Sequence, residues 1–249
     1  MTKKFIRNRS YYLGKMARVS LTKRLEEICY RYEEFMMRGD ERIFKIPRDI
    51  TDALGRITSR EILEFSKILA DYYPLDGLVK YTGNYLTALM ESSPEKEFEI
   101  DLRNERGIFF HYIGYGLRGR ILNVHGDLGG WVGYRAGNSR IIVNGNVGDN
   151  IGKDSHHLTL IVNGDVGNNV GYHAGNSRII VNGNVEDNIG KDSHHLTLIV
   201  NGDVGNNIGE NSRNSTIMIS GKYESIADYV GEGTEIFHLE EGKWRLIYP

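Results

Sequence analysis

At 249 residues with a formal net charge of −2, the chain is long enough to bury a real core and carries no overall charge bias toward nucleic acid or membrane. Its single cysteine, Cys29, excludes an internal disulfide framework and a multi-cysteine metal site, and it suits a reducing, cytoplasmic compartment. No apolar run reaches the length of a membrane span, and the first residues lack the apolar core of a secretory signal.

In chain order, 1–19 form a basic arm. Lys3, Lys4, Arg7 and Arg9 open a stretch with no acid before Glu26, interleaved with Phe5, Tyr11 and Tyr12. Such an arm is a candidate binder of nucleic acid or another polyanion; the preferred reading is a solvated arm or one that docks on the chain's own acidic surface. Residues 20–95 predict a small helical region. Leu25, Ile28, Cys29, Tyr32, Phe35 and Met36 share one helical face, with Gly39 as a stop. Thr58 and Glu61 form a capping box for a second helix carrying Ile62, Phe65, Ile68, Leu69 and Tyr72, halted by Pro74. A shorter helix is expected from Asn84 to Glu91. Cys29, on an apolar face with no cation near it, reads as core rather than nucleophile. Strand alternation begins after Pro94 with "EFEIDL".

From there the chain repeats. Glycines stand at Gly107, Gly126, Gly145, Gly164, Gly183, Gly202 and Gly221, each 19 residues after the last, with a second series from Gly114 to Gly209 seven residues behind. Arg140–Asn169 and Arg178–Asn207 differ only at Gly148 against Glu186, so a 38-residue double unit overlies the 19-residue one. Four and two residues before each first-series glycine come Leu or Ile and then Val; two and six after it come Val or Ile again. Alternating β-branched residues predict strands, and the glycines predict corners where φ is positive. Each 19-residue unit is then one coil of a parallel β-helix, with equivalent residues stacked about 4.8 Å apart.

Stacking sets expectations for each column. Asn144, Asn163, Asn182 and Asn201 predict an amide ladder, as do Asn150, Asn169, Asn188 and Asn207. Asp127, Asp165 and Asp203 raise the alternative of a calcium-binding roll, but Asn146 and Asn184 interrupt the acids, and no metal is the expectation. The pairs His156/His157 and His194/His195 stand two coils apart, about 9.6 Å by strand spacing, too far for one ion to join. Tyr134, Lys153 and Tyr172 predict cation–π contacts, and Arg135, Asp154, His173 and Asp192 a ladder of opposite charges. Ile142, Ile161, Ile180, Ile199 and Met218 lie between inward columns, so they face out and mark a candidate interface. A helix from the N-terminal region or a second copy could cover them; self-association is the preferred reading.

The repeated G-x-x-G-x-x-x-G phrase on a period near 19 resembles the GXGXG domain that ends the large subunit of glutamate synthase, and the similar domain of a formylmethanofuran dehydrogenase subunit. The resemblance spans 98–223 and implies a right-handed β-helix with an architectural role. It transfers no activity, because the chain lacks an N-terminal cysteine nucleophile, a flavin-binding barrel and an iron–sulfur cysteine cluster. The expected architecture is mainly β: a small α-helical region, a right-handed parallel β-helix of about seven coils at 98–223, and a C-terminal cap at 224–249. That cap contains a hairpin with Trp244, Leu246 and Tyr248 on one side. No catalytic residue, cofactor site or metal site is predicted. The expected function is a non-catalytic scaffold that self-associates or binds protein partners. The alternatives are an enzyme or enzyme subunit with a site between helices and solenoid, and a nucleic-acid binder using the basic arm.

Overall fold

The computed structural model describes residues 23–37, 52–72 and 79–249. The basic arm with Lys3, Lys4, Arg7 and Arg9, and the stop signals Gly39 and Pro74, lie outside the described residues.

Among the described residues, three long helices precede the solenoid: α1 (Lys23–Met37), α2 (Ser59–Tyr72) and α3 (Val79–Ser92). The α2 capping box forms as its sequence predicts. The Glu61 N–H donates to Thr58 Oγ1 at 3.2 Å, and the Glu61 carboxylate accepts from the Thr58 N–H at 2.8 Å. Apolar faces of all three helices meet at Tyr85, which packs edge-on against Tyr32 at 5.2 Å and Phe65 at 5.7 Å, while its hydroxyl donates to Ile28 O at 3.1 Å. Cys29 is buried beside this cluster, and burial, aided by Glu33 and Glu26, pushes its thiol up to about 12. It is a core residue with no thiolate to offer.

The third helix starts at Val79, five residues ahead of the expected Asn84. Gly83 hides this start, because glycine weakens a helix interior and discourages extending the prediction through it. Its role is close approach: a Cβ there would stand 2.3 Å from His111 O and from the Tyr112 carbonyl carbon. The helical region thus docks backbone to backbone on the first coil. The α2 helix lies against the first strand, where Ser66 Oγ accepts from the Asp101 N–H at 2.9 Å and covers the open end of the sheet.

Nine strands form one sheet in sequence order: β1 (Glu97–Asp101), β2 (Ile121–His125), β3 (Arg140–Asn144), β4 (Thr159–Val162), β5 (Arg178–Val181), β6 (Thr197–Val200), β7 (Thr216–Ile219), β8 (Glu235–Glu240) and β9 (Lys243–Tyr248). The pairs from β1 to β8 are parallel, in the register the repeat demands, with Leu122, Ile141, Leu160, Ile179, Leu198 and Ile217 in one column. Two further parallel ladders close each turn, one through Leu128, Val147, Val166, Val185 and Val204, the other through Gly137, His156, Gly175, His194 and Arg213. The chain is a parallel β-solenoid. Its inner columns of Val, Ile and Leu are at most 4 % exposed.

Strand starts at 121, 140, 159, 178, 197, 216 and 235 mark six regular turns, fewer than the seven expected. The first turn, from β1 to β2, is longer by five residues, because Glu97 pairs with Ile121. Gly107 therefore leaves the glycine column; its position in the series is a coincidence of spacing, and nothing would meet a Cβ there.

The two glycine series also differ in kind. Gly152 and its equivalents hold positive φ, 63° to 77° from Gly152 to Gly209. From Gly145 to Gly221 the first series does not; there a Cβ would meet the carbonyl oxygen of the glycine one coil back at 2.3–2.5 Å. One series turns the chain, and the other lets coils touch. The Asn150 column is a third corner, with φ of 64°, 61°, 63° and 62° at Asn150, Asn169, Asn188 and Asn207. Asparagine suits this left-handed region better than most residues, so backbone conformation places it there as much as amide stacking; the Asn207 side-chain N–H donates to Asn188 Oδ1 at 2.7 Å.

At the far end β9 pairs antiparallel with β8 and closes the cap. Trp244 and Leu246 are exposed and share a face, as expected. A register irregularity at Ile236/Phe237 sets Tyr248 opposite the inward Ile236 instead, and Tyr248 packs on the core with its hydroxyl donating to Val230 O at 3.4 Å.

Candidate functional site

The outer face of the sheet carries the predicted stripe. In β3 to β7 exposure alternates, with Ile142, Ile161, Ile180, Ile199 and Met218 outward, half-buried and in register from coil to coil. The structure lengthens it, since Met218 pairs with Phe237 and Phe237 with Leu246, which is 49 % exposed. At about 4.8 Å per strand, the apolar line from Ile142 to Leu246 runs roughly 29 Å. On one side lies a rim of Arg140, Thr159, Arg178, Thr197 and Thr216, ending in Glu235. On the other, Asn163, Asn182 and Asn201 each donate a side-chain N–H to the asparagine one coil back, at 2.8, 2.6 and 2.7 Å. Of the described helices only α2 makes an extensive contact with a strand, and that strand is β1.

The acidic columns have a use that does not require a cation. Asp127 Oδ1 accepts from the Asn146 N–H, Asn146 Oδ1 from Asp165, Asp165 Oδ1 from Asn184 and Asn184 Oδ1 from Asp203, at 2.7–2.9 Å. Each coil needs one acceptor oxygen, which Asp and Asn supply equally; alternating them keeps carboxylates from facing one another at strand spacing. Asp149, Asn168 and Asp187 repeat the device on a second corner. His111 begins that column, accepting from the Gly130 N–H through Nδ1 at 3.1 Å, so the neutral ring carries its proton on Nε2.

Aromatic and charged residues gather on a further corner. Lys153 sits over Tyr172 at 4.6 Å and over Trp131 at 5.0 Å, so its second aromatic partner is Trp131 rather than Tyr134. Arg135 lies over Tyr134 instead, at 4.9 Å. His173 stands between Asp154 at 3.3 Å and Asp192 at 3.5 Å, in the column the repeat predicts. Tyr112 and Trp131 stack at 5.6 Å while both hold positive φ, 60° and 69°, where the later coils place asparagine. Beside them Phe109, His111, Asp127, Trp131 and Asp149 line an open groove of about 460 Å³. Sequence reasoning passed over this groove, although the replacement of asparagine by aromatic residues in the first two rungs was visible.

The paired histidines depart most from expectation. His156 and His194 belong to coils two apart, yet their ring centroids are only 5.6 Å apart. Strand spacing fixes backbones, and these side chains lean toward each other over the intervening Gly175, where a Cβ would fall 2.5 Å from a ring nitrogen of each. Partial desolvation, then the neighbouring His156 and His195, hold the His194 pKa below the ordinary histidine value. Among the described residues no three His, Cys, Asp or Glu side chains cluster as a ready metal site, and no helix is long and apolar enough to cross a membrane.

No family model, curated protein or solved structure matches this chain.

Proposed function

We propose that this chain is a non-catalytic structural protein, a GXGXG-type β-helix that assembles with a second copy of itself through the outward stripe of its sheet. The observation that carries this reading is the unbroken apolar line from Ile142 to Leu246 on a face where solvated strands would place Thr, Lys or Glu. The rim supports a second copy as the occupant. Laid face to face with the solenoids antiparallel and a two-fold axis along the strands, Ile180 meets Ile199 of the other copy, Ile142 meets Phe237, and Arg140 meets Glu235. The rim is thus self-complementary in charge, and the amide ladder opposite it supplies polar groups for the remaining edge.

The double variant Ile161→Lys, Ile180→Lys tests this by light scattering and circular dichroism. The expected result is a folded protein at half the native mass, because the two lysine cations in each stripe would have to be buried against the apolar Met218 and Ile199 of the other copy. Loss of folding would mean that the chain covers its own wall. Unchanged mass and unchanged fold would remove the wall as an interface.

A further inference from the structure

We propose that His156 and His194 form a two-imidazole chelate for a divalent transition ion of the copper, nickel or zinc class, seated over Gly175. The inference concerns a different wall of the solenoid from the stripe, and it stands independently of self-association.

The eight histidines of the chain fall into two sets of four. His111, His125, His173 and His238 each have a hydrogen-bond or carboxylate partner. The rings of His156, His157, His194 and His195 make no hydrogen bond to a described residue; those of His156 and His194 are neighbours, with planes inclined at 57°, and the His195 ring lies 6.1 Å from that of His194. Both are exposed, so their orientation is not imposed by core packing. A Cβ on Gly175 would lie 2.5 Å from His156 Nδ1 and 2.5 Å from His194 Nε2, so these nitrogens are no farther apart than the sum, about 5 Å. Two imidazoles on one tetrahedral zinc, each with a bond of about 2.1 Å, hold their nitrogens roughly 3.4 Å apart. The remaining gap is within reach of small side-chain rotations by two exposed rings. Neutral imidazole nitrogen is the donor that copper, nickel and zinc accept.

Three features of the fold build the site. The duplicated "DSHHLTL" places a histidine at the same corner of alternate coils. The parallel ladder His156–Gly175–His194 fixes both backbones on one line. Gly175 removes the side chain that would otherwise stand between the rings, and it does so with an ordinary φ, so alanine is conformationally allowed there. Two cations stand on the same ladder: Arg213 follows His194, with its Cγ 2.9 Å from where a Cβ on Gly231 would stand, and Arg118 reaches over Gly137, one coil before His156, where a Cβ would stand 2.6 Å from its guanidinium. Two protein ligands leave coordination positions open for water or for a donor from outside the chain.

Copper(II) sulfate titrated into the full chain, followed by calorimetry and visible absorption, tests the proposal. One equivalent is expected to bind through imidazole, with affinity falling at least tenfold in His156→Gln and in His194→Gln. The decisive variant is Gly175→Ala, which keeps all eight histidines but pushes the two rings apart; it is expected to lose affinity as the ligand variants do, with an unchanged circular dichroism spectrum. His157→Gln is expected to bind within twofold of the native chain. Should Gly175→Ala disturb the fold, the contrast between His194→Gln and His157→Gln decides. The proposal is overturned if the native chain takes up no copper at 100-micromolar order, if His156→Gln or His194→Gln binds as the native chain does, if His157→Gln weakens binding as much as they do, or if a folded Gly175→Ala retains full affinity.

Discussion

Val166→Asp is expected to abolish folding, while Asp165→Ala, one residue earlier, is expected to leave a folded and cooperative protein. Val166 is 4 % exposed and occupies the middle of an inward column between Val147 and Val185. A carboxylate there finds no described cation and no spare donor, since the Val166 N–H already goes to Asn184 O and the Gly167 N–H to Val147 O. An unpaired buried charge of this kind costs more than about 4 kcal/mol, a large part of the roughly 5–15 kcal/mol that holds a domain together. Asp165 faces outward and accepts the Asn184 N–H at 2.7 Å. Removing it leaves that N–H to water, at about 1 kcal/mol. Urea denaturation followed by circular dichroism separates the two; comparable losses would reverse the inward and outward assignment.

Gly183→Ala is expected to be far more damaging than Gly190→Ala, although both glycines recur once per coil. At Gly183 a new Cβ meets Gly164 O and Asp165 Oδ1, both at 2.5 Å, and the first is backbone of the coil beneath. The two coils can separate only by stretching the ladder that joins them, so a loss of about 3 kcal/mol or more follows. At Gly190, with φ 68°, alanine bears the left-handed backbone cost of roughly 1–2 kcal/mol, and its Cβ meets only the Ile217 Cδ1 methyl at 3.0 Å, which can rotate aside. Midpoints from the same urea titration rank the pair. A more stable Gly183→Ala would show that the coils are not in backbone contact at this corner.

The solenoid was legible because its information is periodic. Alternation of Ile141 and Val143 with their neighbours, repeated every 19 residues, defines both the strand and its register, so inward and outward columns followed from the sequence. The outward stripe was legible for the same reason. Exceptions to the period were not. Gly107 matched the spacing but lies in a longer first turn, and Gly83 disguised the start of α3 because its purpose is a contact with residues 111–113, far along the chain. The glycine columns look alike as letters, yet one answers to a torsion angle and the other to a carbonyl in the next coil. The closeness of the two histidine rings was hidden for a related reason. Strand spacing correctly gave the separation of the two backbones, but the rings incline over a residue with no side chain, and the empty volume above Gly175 is a property of three coils together.

The alternation running through the columns also fixes how such a rod can change in length. Inside the corner Leu158 and Leu196 alternate with Ser139, Ser177 and Ser215, and the Ser177 and Ser215 hydroxyls accept the Leu158 and Leu196 N–H groups at 3.1 Å. Outside, Asp alternates with Asn, and Tyr172 separates Lys153 from Lys191. Cutting out or adding a single turn would bring like onto like at the splice, for example leucine onto leucine together with aspartate onto aspartate, or serine onto serine together with asparagine onto asparagine. Two turns restore every neighbour. The heritable unit of growth is therefore the pair of coils, and the near-identity of Arg140–Asn169 with Arg178–Asn207 is the trace of one such step. The molecule behaves like a ruler graduated in steps of about 9.6 Å, which copying errors can lengthen or shorten only by whole divisions.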